Sequence, residues 1–161
     1  MSAPDVAILM GSENDWAVMQ QAARTLEEFG VTYEARVLSA HRTPAETADY
    51  VRQADAGGTR VFIAAAGMAA HLAGAVAAHT TRPVLGVPLV AGELNGLDAL
   101  LATVQMPPGI PVGTLAIGKA GATNAALLAV AILGNERPEL HDKLRDRRRK
   151  SAEKTLGTKL T

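Results

Sequence analysis

The chain has 161 residues, which suits one domain with a sizeable core. Its hydrophobic content is 48% and only 3% of its residues are aromatic. Its formal net charge is zero, so no overall electrostatic field favours nucleic acid or a membrane surface. The absence of cysteine excludes disulfides and thiolate metal sites. Because the sequence shows neither a signal-peptide pattern nor a run of roughly 20 apolar residues, we expect a cytoplasmic protein.

Short apolar runs alternate with amphipathic segments, which is the pattern of a parallel sheet covered by helices. Five runs are predicted to be strands buried on both faces: Val6–Met10, Thr32–Leu38, Val61–Ala66, Val84–Val87 and Val112–Ile117. Helices are predicted over about residues 16–29, 44–56, 70–79, 96–104, 121–133 and 138–155. No internal repeat or linker interrupts this alternation, so residues 1–161 are predicted to form a single domain.

Three polar loops follow the first three predicted strands, at the edge where an open parallel sheet binds its ligands. The first loop carries Ser12, Asn14 and Asp15, the second spans residues 39–44, and the third spans residues 66–72. Together they supply hydroxyls, a carboxylate, a guanidinium, two imidazoles and small residues that expose backbone N–H groups. This combination suits a ribose phosphate that carries a small polar ring.

The second loop indicates an anion site beside an acid–base group. Thr43 is predicted to cap the following helix, Pro44 suits the first helical position, and Glu46 would close a capping box. The free N–H groups of such a turn favour an anion, and Arg42 adds a charged fork. We therefore predict a phosphate site with the titratable His41 one residue away.

Each of these residues also has a purely structural interpretation. Ser12, Asn14 and Asp15 are residue types that usually serve as turn and cap residues, although Asp15 can also accept a hydrogen bond from a ribose hydroxyl. His71 lies at an alanine-rich helix start, where a packed or interface histidine is the commoner case. His41 alone fits a surface histidine equally well, but its place at a strand end beside a guanidinium favours catalysis.

Three other patterns are weaker evidence of function than they first suggest. Residues 113–120 nearly match the ATP-binding P-loop, but Ala120 replaces the hydroxyl residue that holds magnesium, and a predicted strand fills the middle. Residues 143–150 are strongly basic, yet no aromatic residue interleaves to stack on bases, which favours a solvated helix face over nucleic-acid binding. The four histidines are scattered without helical ligand spacing, so no metal site is predicted.

The predicted helix at residues 121–133 is apolar on almost every face, so it must be buried all round. One sheet in a domain of this size cannot cover it completely. We therefore expect contact with other copies of the chain in a homo-oligomer. The alternative is a central helix hidden within one monomer.

The loops closely resemble one family, the N5-carboxyaminoimidazole ribonucleotide mutases of purine biosynthesis. The likeness covers about residues 5–133 in the same order and spacing, which is more specific than any single motif. The matching segments are Gly11-Ser12-x-x-Asp15-Trp16, Ser39-Ala40-His41-Arg42-Thr43-Pro44, Ala69-Ala70-His71-Leu72, Pro83-Val84-Leu85-Gly86-Val87-Pro88, Val104-Gln105-Met106-Pro107, the run 109–118 and residues 124–128.

The resemblance implies a three-layer α/β/α, flavodoxin-like fold with a parallel sheet of about five strands and an extra C-terminal helix. It also implies an octamer in which that helix, at about residues 138–155, reaches a neighbouring subunit. The implied reaction converts N5-carboxyaminoimidazole ribonucleotide to 4-carboxy-5-aminoimidazole ribonucleotide without ATP, metal or organic cofactor. Besides other copies of the chain, this small ribonucleotide is the only expected partner, and neither nucleic acid nor membrane is involved.

Carried over by position, the resemblance makes His41 the general acid–base residue. The implied binding residues are Ser39, Arg42 and Asn14 for the phosphate, Asp15 for the ribose, Ser12 with the Ala66–Gly67 backbone for the ring and carboxylate, and His71 and Leu72 for the pocket wall.

The chain departs from the family at three places: Met68, where Gly is usual, Ala73, where Pro is usual, and residues 90–95. We expect Met68 to narrow the carboxylate pocket. A related branch, which carboxylates aminoimidazole ribonucleotide directly with carbon dioxide, tends to have Lys after the second-loop histidine and lacks the Ala-Ala-His-Leu run. Arg42 and His71 therefore favour the mutase. The third alternative is a flavodoxin-like module that binds a phosphorylated ligand without chemistry.

Overall fold

Five parallel strands form one sheet within residues 3–160, the part of the chain that the computed structural model describes. They are β1 (Val6–Met10), β2 (Tyr33–Val37), β3 (Val61–Gly67), β4 (Val84–Leu89) and β5 (Gly113–Thr114). Their order across the sheet is β2-β1-β3-β4-β5, which is the flavodoxin-like order with a topological switch point between β1 and β3. The predicted fold class is confirmed.

Six α-helices cover this sheet in the described residues: α1 (Trp16–Phe29), α2 (Pro44–Gly57), α3 (Leu72–Ala77), α4 (Leu97–Val104), α5 (Lys119–Gly134) and α6 (Pro138–Gly157). The alternation of side chains along β1 assigns the two layers. Val6, Ile8 and Met10 pack towards α1 and α5, whereas Ala7 and Leu9 pack towards α2 and α3. The sheet is therefore the middle layer of three.

The strand β2 differs from its prediction because it lies at the edge of the sheet. Glu34 and Arg36 are exposed rather than buried, since β2 has a neighbouring strand on one side only. Tyr50 of α2 donates a 2.9 Å hydrogen bond to Glu34, and the guanidinium of Arg36 lies 5.0 Å from the Tyr50 ring centre. Burial, together with the hydrogen bond to Glu34, raises the pKa of the Tyr50 hydroxyl.

The strand β5 is much shorter than the predicted Val112–Ile117, because Pro88 interrupts its pairing with β4. The Pro88 carbonyl faces β5 and accepts from the N–H of Gly118, but proline has no N–H to donate on that side. Leu115 donates to the Gly86 carbonyl, so the segment from Leu115 to Gly118 has one residue more than regular pairing allows. The P-loop-like stretch is thus largely an irregular chain held against β4.

The apolar helix α5 is covered in part within its own chain. It packs against α1, α6 and the sheet, and Ala125, Ala126 and Ala129 are completely buried. Leu128 is nevertheless 40% exposed, and Leu127, Ala131 and Ile132 are only partly buried. The expectation that another copy of the chain covers this remaining apolar face therefore stays a prediction.

The basic helix α6 is attached to the domain by its first half only. Leu140 and Leu144 are buried, and Lys143 donates to the carbonyl of Phe29 at the end of α1. Further along, Asp146 pairs with Arg149 and Lys150, whose hydrogen bonds lower the pKa of the Asp146 carboxyl. The charge run is therefore a solvated face, as predicted. No helix in the described part of the chain is long and apolar enough to cross a membrane.

Candidate active site

The three predicted loops converge on one cavity at the carboxyl ends of β1, β2 and β3. Its volume is about 430 Å³. Nine of the ten predicted site residues line it, and Asn14 is the exception: Ser12, Asp15, Ser39, His41, Arg42, Ala66, Gly67, His71 and Leu72. Because parallel strands bring their carboxyl ends to one edge, residues up to 60 positions apart meet at this switch point.

The first loop is a turn fixed by its own side chains. The hydroxyl of Ser12 accepts from the N–H of Asn14, and the carboxylate of Asp15 accepts from the N–H of Ser12 at 3.0 Å. This reciprocal pair is a capping box around the short 3-10 helix Glu13–Asp15. Ser12 and Asp15 thus act as turn and cap residues, as their structural interpretation predicted. Both residues also line the cavity.

The carboxyl of Asp15 has an unusual environment. Burial raises its pKa, against the opposing effects of the Ser12 hydrogen bond and the positive charge of Arg42. Partial burial therefore destabilises the ionised carboxylate more than the Ser12 hydrogen bond and the Arg42 charge stabilise it. A carboxylate held in this way still has lone pairs to accept hydrogen bonds from a ligand.

In the second loop, Pro44 is the first residue of α2 as predicted, but the predicted capping box is wrong. The hydroxyl of Thr43 accepts from the N–H of Ser39 at 2.9 Å and donates to the Ser39 carbonyl, so it closes the loop instead of capping the helix. Glu46 stays exposed on the first turn of α2. The N–H groups at this helix start therefore have no side-chain cap.

Arg42 connects the second loop to the first. Its backbone N–H donates to the Ser39 hydroxyl at 3.1 Å, and its Nη2 donates to the carbonyl of Gly11 at 2.6 Å. The guanidinium has five N–H donors, so these contacts leave others for a ligand. The geometry thus holds a positive charge and a hydroxyl side by side on the cavity wall.

The second and third loops meet through their histidines. The Nε2 of His41 lies 2.7 Å from the Nδ1 of His71, and the two rings stand edge to face at 76°. At this distance one nitrogen must carry a proton and the other must accept it. The sequence predicted both residues at the site but gave no indication of this direct contact.

Among the lining residues, Ala91 lies outside the three loops that the sequence analysis predicted. It follows β4, whose carboxyl end lies at the same edge of the sheet, and that position is the signal that could have found it. A Cβ atom on Gly67 would lie only 2.7 Å from the Cβ of Ala91, so the third loop and the loop after β4 touch directly.

Within the described residues, no group of three His, Asp or Glu side chains is placed to hold a metal ion.

The fold and the cavity together define a flavodoxin-like α/β protein with a polar ligand site at its switch point. A family model described as AIR carboxylase matches residues 5–154. The chain therefore belongs to the AIR carboxylase family.

Individual relatives agree with this assignment. A protein from Saccharolobus solfataricus named N5-carboxyaminoimidazole ribonucleotide mutase is 52% identical over 157 residues, which is 98% of this chain and 98% of that protein. A protein of the same name from Vibrio cholerae is 54% identical and covers 94% of both chains. The crystal structure of Treponema denticola PurE has a TM-score of 0.85 and 28% identity, covering 94% of this chain and 93% of that one. The resemblance drawn from the loops is confirmed.

Proposed function

We propose that this chain converts N5-carboxyaminoimidazole ribonucleotide to 4-carboxy-5-aminoimidazole ribonucleotide. The observation that carries the proposal is one cavity that holds His41, Arg42 and Asp15 together. Acid–base, phosphate-binding and hydroxyl-binding groups are thus within reach of a single small ribonucleotide. The names of the relatives that align over nearly the whole chain support this reaction.

The proposed binding mode follows the positions of the side chains. Arg42 and Ser39 hold the phosphate, because they present a guanidinium and a hydroxyl beside the free N–H groups of the α2 start. Asp15 accepts from the ribose. Ser12 and the backbone of residues 66–67 face the ring and its carboxylate, and His71 with the buried Leu72 forms the wall. Asn14 lies outside the cavity and is given no ligand contact.

The proposed chemistry moves a carboxyl group through free carbon dioxide. The N–C bond of the carbamate breaks, its electron pair stays on nitrogen, and protonated His41 supplies a proton there. The enamine-like ring carbon then attacks the carbon dioxide, and neutral His41 removes the proton from that ring carbon. The histidine ends in its starting state, so one imidazole serves as acid and then as base.

The test mixes the purified protein with freshly prepared N5-carboxyaminoimidazole ribonucleotide in the absence of ATP, added metal and bicarbonate. Rapid growth of the ultraviolet absorbance of 4-carboxy-5-aminoimidazole ribonucleotide is the expected result. Product formed only from aminoimidazole ribonucleotide plus bicarbonate would favour direct carboxylation, which the description of the family model also suggests. No product in either reaction would leave a binding module as the function.

Asp15→Asn separates the ligand role of this residue from its structural role. The amide oxygen still accepts from the Ser12 N–H, so the turn is retained, but the charge is lost. Because the pKa of Asp15 is raised in the folded state, wild type loses stability relative to the variant as pH rises through that pKa. We expect equal or higher thermal stability of the variant at neutral pH, a difference that vanishes in acid, and about tenfold weaker ribonucleotide binding.

Thermal unfolding at several pH values and calorimetric titration with aminoimidazole ribonucleotide measure the two effects. A variant that loses stability and keeps its affinity would reverse both assignments.

We also propose that copies of the chain assemble, as an octamer, through the outer face of α4. Leu97, Leu101 and Val104 are about half exposed and recur at helical spacing, so they form an apolar stripe on the surface of this helix. Val90 and Leu94 extend the patch towards the cavity. An exposed apolar patch of this kind marks an interaction surface. Because no helix in the described residues could span a membrane, the occupant that suits the patch is the same surface on a second copy of the chain. The exposed second half of α6 is proposed as a further contact with a neighbour.

Leu101→Asp is expected to reduce the particle mass measured by light scattering, because a charge in the centre of an apolar interface is strongly unfavourable. Val37→Asp is the matched control, since Val37 is 51% exposed at the end of the edge strand β2 and lies outside both proposed contacts. A wild-type chain that is monomeric at micromolar concentration would contradict the assembly.

A further inference from the structure

Met68 has a backbone conformation that its residue type does not favour. Its φ is +54°, in the left-handed region, and among the described residues only Asn95 shares this property without being glycine. Asparagine tolerates that region through local hydrogen bonds of its short side chain, whereas methionine has no such compensation. Strain of this kind persists where the surrounding structure imposes it, and it is concentrated at ligand sites.

The neighbouring chain imposes the conformation. Gly67 is pressed against the loop after β4, where an added Cβ would meet Ala91 at 2.7 Å and the Leu89 carbonyl at 3.3 Å. On the other side, Ala70 donates to the Met68 carbonyl at 2.9 Å, which makes a tight turn. The backbone of Met68 is thus held between the end of β3 and this turn. Together they set the direction in which the Met68 side chain leaves the backbone.

The Met68 side chain lies at the opening of the cavity. It is among the lining residues, yet it is 58% exposed. Its Cγ and Cε are each 3.8 Å from the position that a Cβ on Gly92 would occupy, so the side chain extends from the third loop to the loop after β4. A flexible, unbranched thioether therefore joins these two loops at the rim of the cavity that His41 and His71 also line.

The geometry points to Met68 as the residue that retains carbon dioxide in the cavity between its release and its recapture. This inference rests on the proposed function. Carbon dioxide is neutral and small, so the charged groups that hold the ribonucleotide do not hold it. An apolar side chain over the opening lowers the chance that it escapes before the ring carbon attacks it. Escape would leave aminoimidazole ribonucleotide, which lacks the carboxyl group.

The test compares wild type with Met68→Gly and Met68→Leu. Each protein converts unlabelled N5-carboxyaminoimidazole ribonucleotide in buffer containing ¹³C-bicarbonate and carbonic anhydrase, and mass spectrometry at early times measures the ¹³C fraction of the 4-carboxy product. Free aminoimidazole ribonucleotide is measured in parallel against a blank without enzyme. Leucine keeps an apolar cover of similar volume, whereas glycine removes it.

With Met68→Gly, we expect the labelled fraction and the released aminoimidazole ribonucleotide to rise several-fold, while Met68→Leu stays close to wild type. The melting temperature of Met68→Gly should stay close to that of wild type, because glycine adopts a positive φ without strain.

Equal labelling in Met68→Gly and wild type would overturn the inference. Complete loss of turnover in a folded Met68→Gly would overturn it too, since retention predicts leakage and not arrest. A wild-type protein that forms no 4-carboxy product at all would overturn the proposed function, and this inference with it.

Discussion

His41→Asn is expected to lower turnover by about a thousandfold and to leave ribonucleotide binding nearly unchanged. General acid–base groups contribute roughly 10²–10⁴-fold to rate, and His41 is proposed to act at both proton transfers. Asparagine neither donates nor accepts a proton at neutral pH, but it fits the space and can still hydrogen-bond to the ring of His71, which lies 2.7 Å from the native nitrogen. The hydrogen bonds that position Arg42 and Ser39, the residues proposed to hold the phosphate, do not involve the His41 side chain.

Initial rates from product absorbance and calorimetric titration with aminoimidazole ribonucleotide measure the two quantities separately. His79→Asn is the matched control, because His79 is exposed just beyond α3 and outside the cavity lining, and its rate should equal that of wild type. If His41→Asn kept turnover within a fewfold of wild type, the proton-transfer role would have to be assigned to another residue, and His71 would be the first to examine.

The sequence predicted the layers of the fold and nearly all of the cavity lining, because both depend on patterns that are local or nearly so. Apolar runs of strand length, separated by amphipathic segments, imply parallel strands, and parallel strands place their loops at one edge. Ser12, His41 and His71 could therefore be placed together without knowing a single contact. The resemblance then added specific roles to residues that the pattern had already located.

The sequence predictions failed where a residue had several possible hydrogen-bond partners. The hydroxyl of Thr43 had two options of similar energy, the helix start or the Ser39 backbone, and the sequence does not show which is nearer. Pro88 shortens β5 only because its missing N–H faces that strand rather than β3.

The largest structural effect is expected from Gly121→Ala, near the start of α5. An added Cβ at Gly121 would lie 1.6 Å from the carbonyl oxygen of Ala116 and 2.7 Å from its carbonyl carbon. The segment cannot simply move away, because Leu115 and Gly118 are hydrogen-bonded to the backbone of β4. The helix is also held in place by its packing against α1.

Gly121→Ala must therefore break contacts on one side or the other. Two lost backbone hydrogen bonds and the overpacking together are expected to cost about 4 kcal/mol, a large part of the total stability of an ordinary domain. For a chain of this length that corresponds to a fall of about 10 °C in melting temperature, measured by calorimetry at one protein concentration.

Gly157→Ala provides the control for this experiment. It makes the same chemical change at the end of α6, where an added Cβ would have no atom within 4 Å. Because alanine favours helix more than glycine does, the melting temperature of this variant should stay constant or rise slightly. Equal behaviour of the two variants would show that the Ala116 segment can shift at little cost. The two β4 hydrogen bonds would then not fix the path from β5 into α5, and the apolar packing of α5 on α1 would be enough to hold this part of the fold.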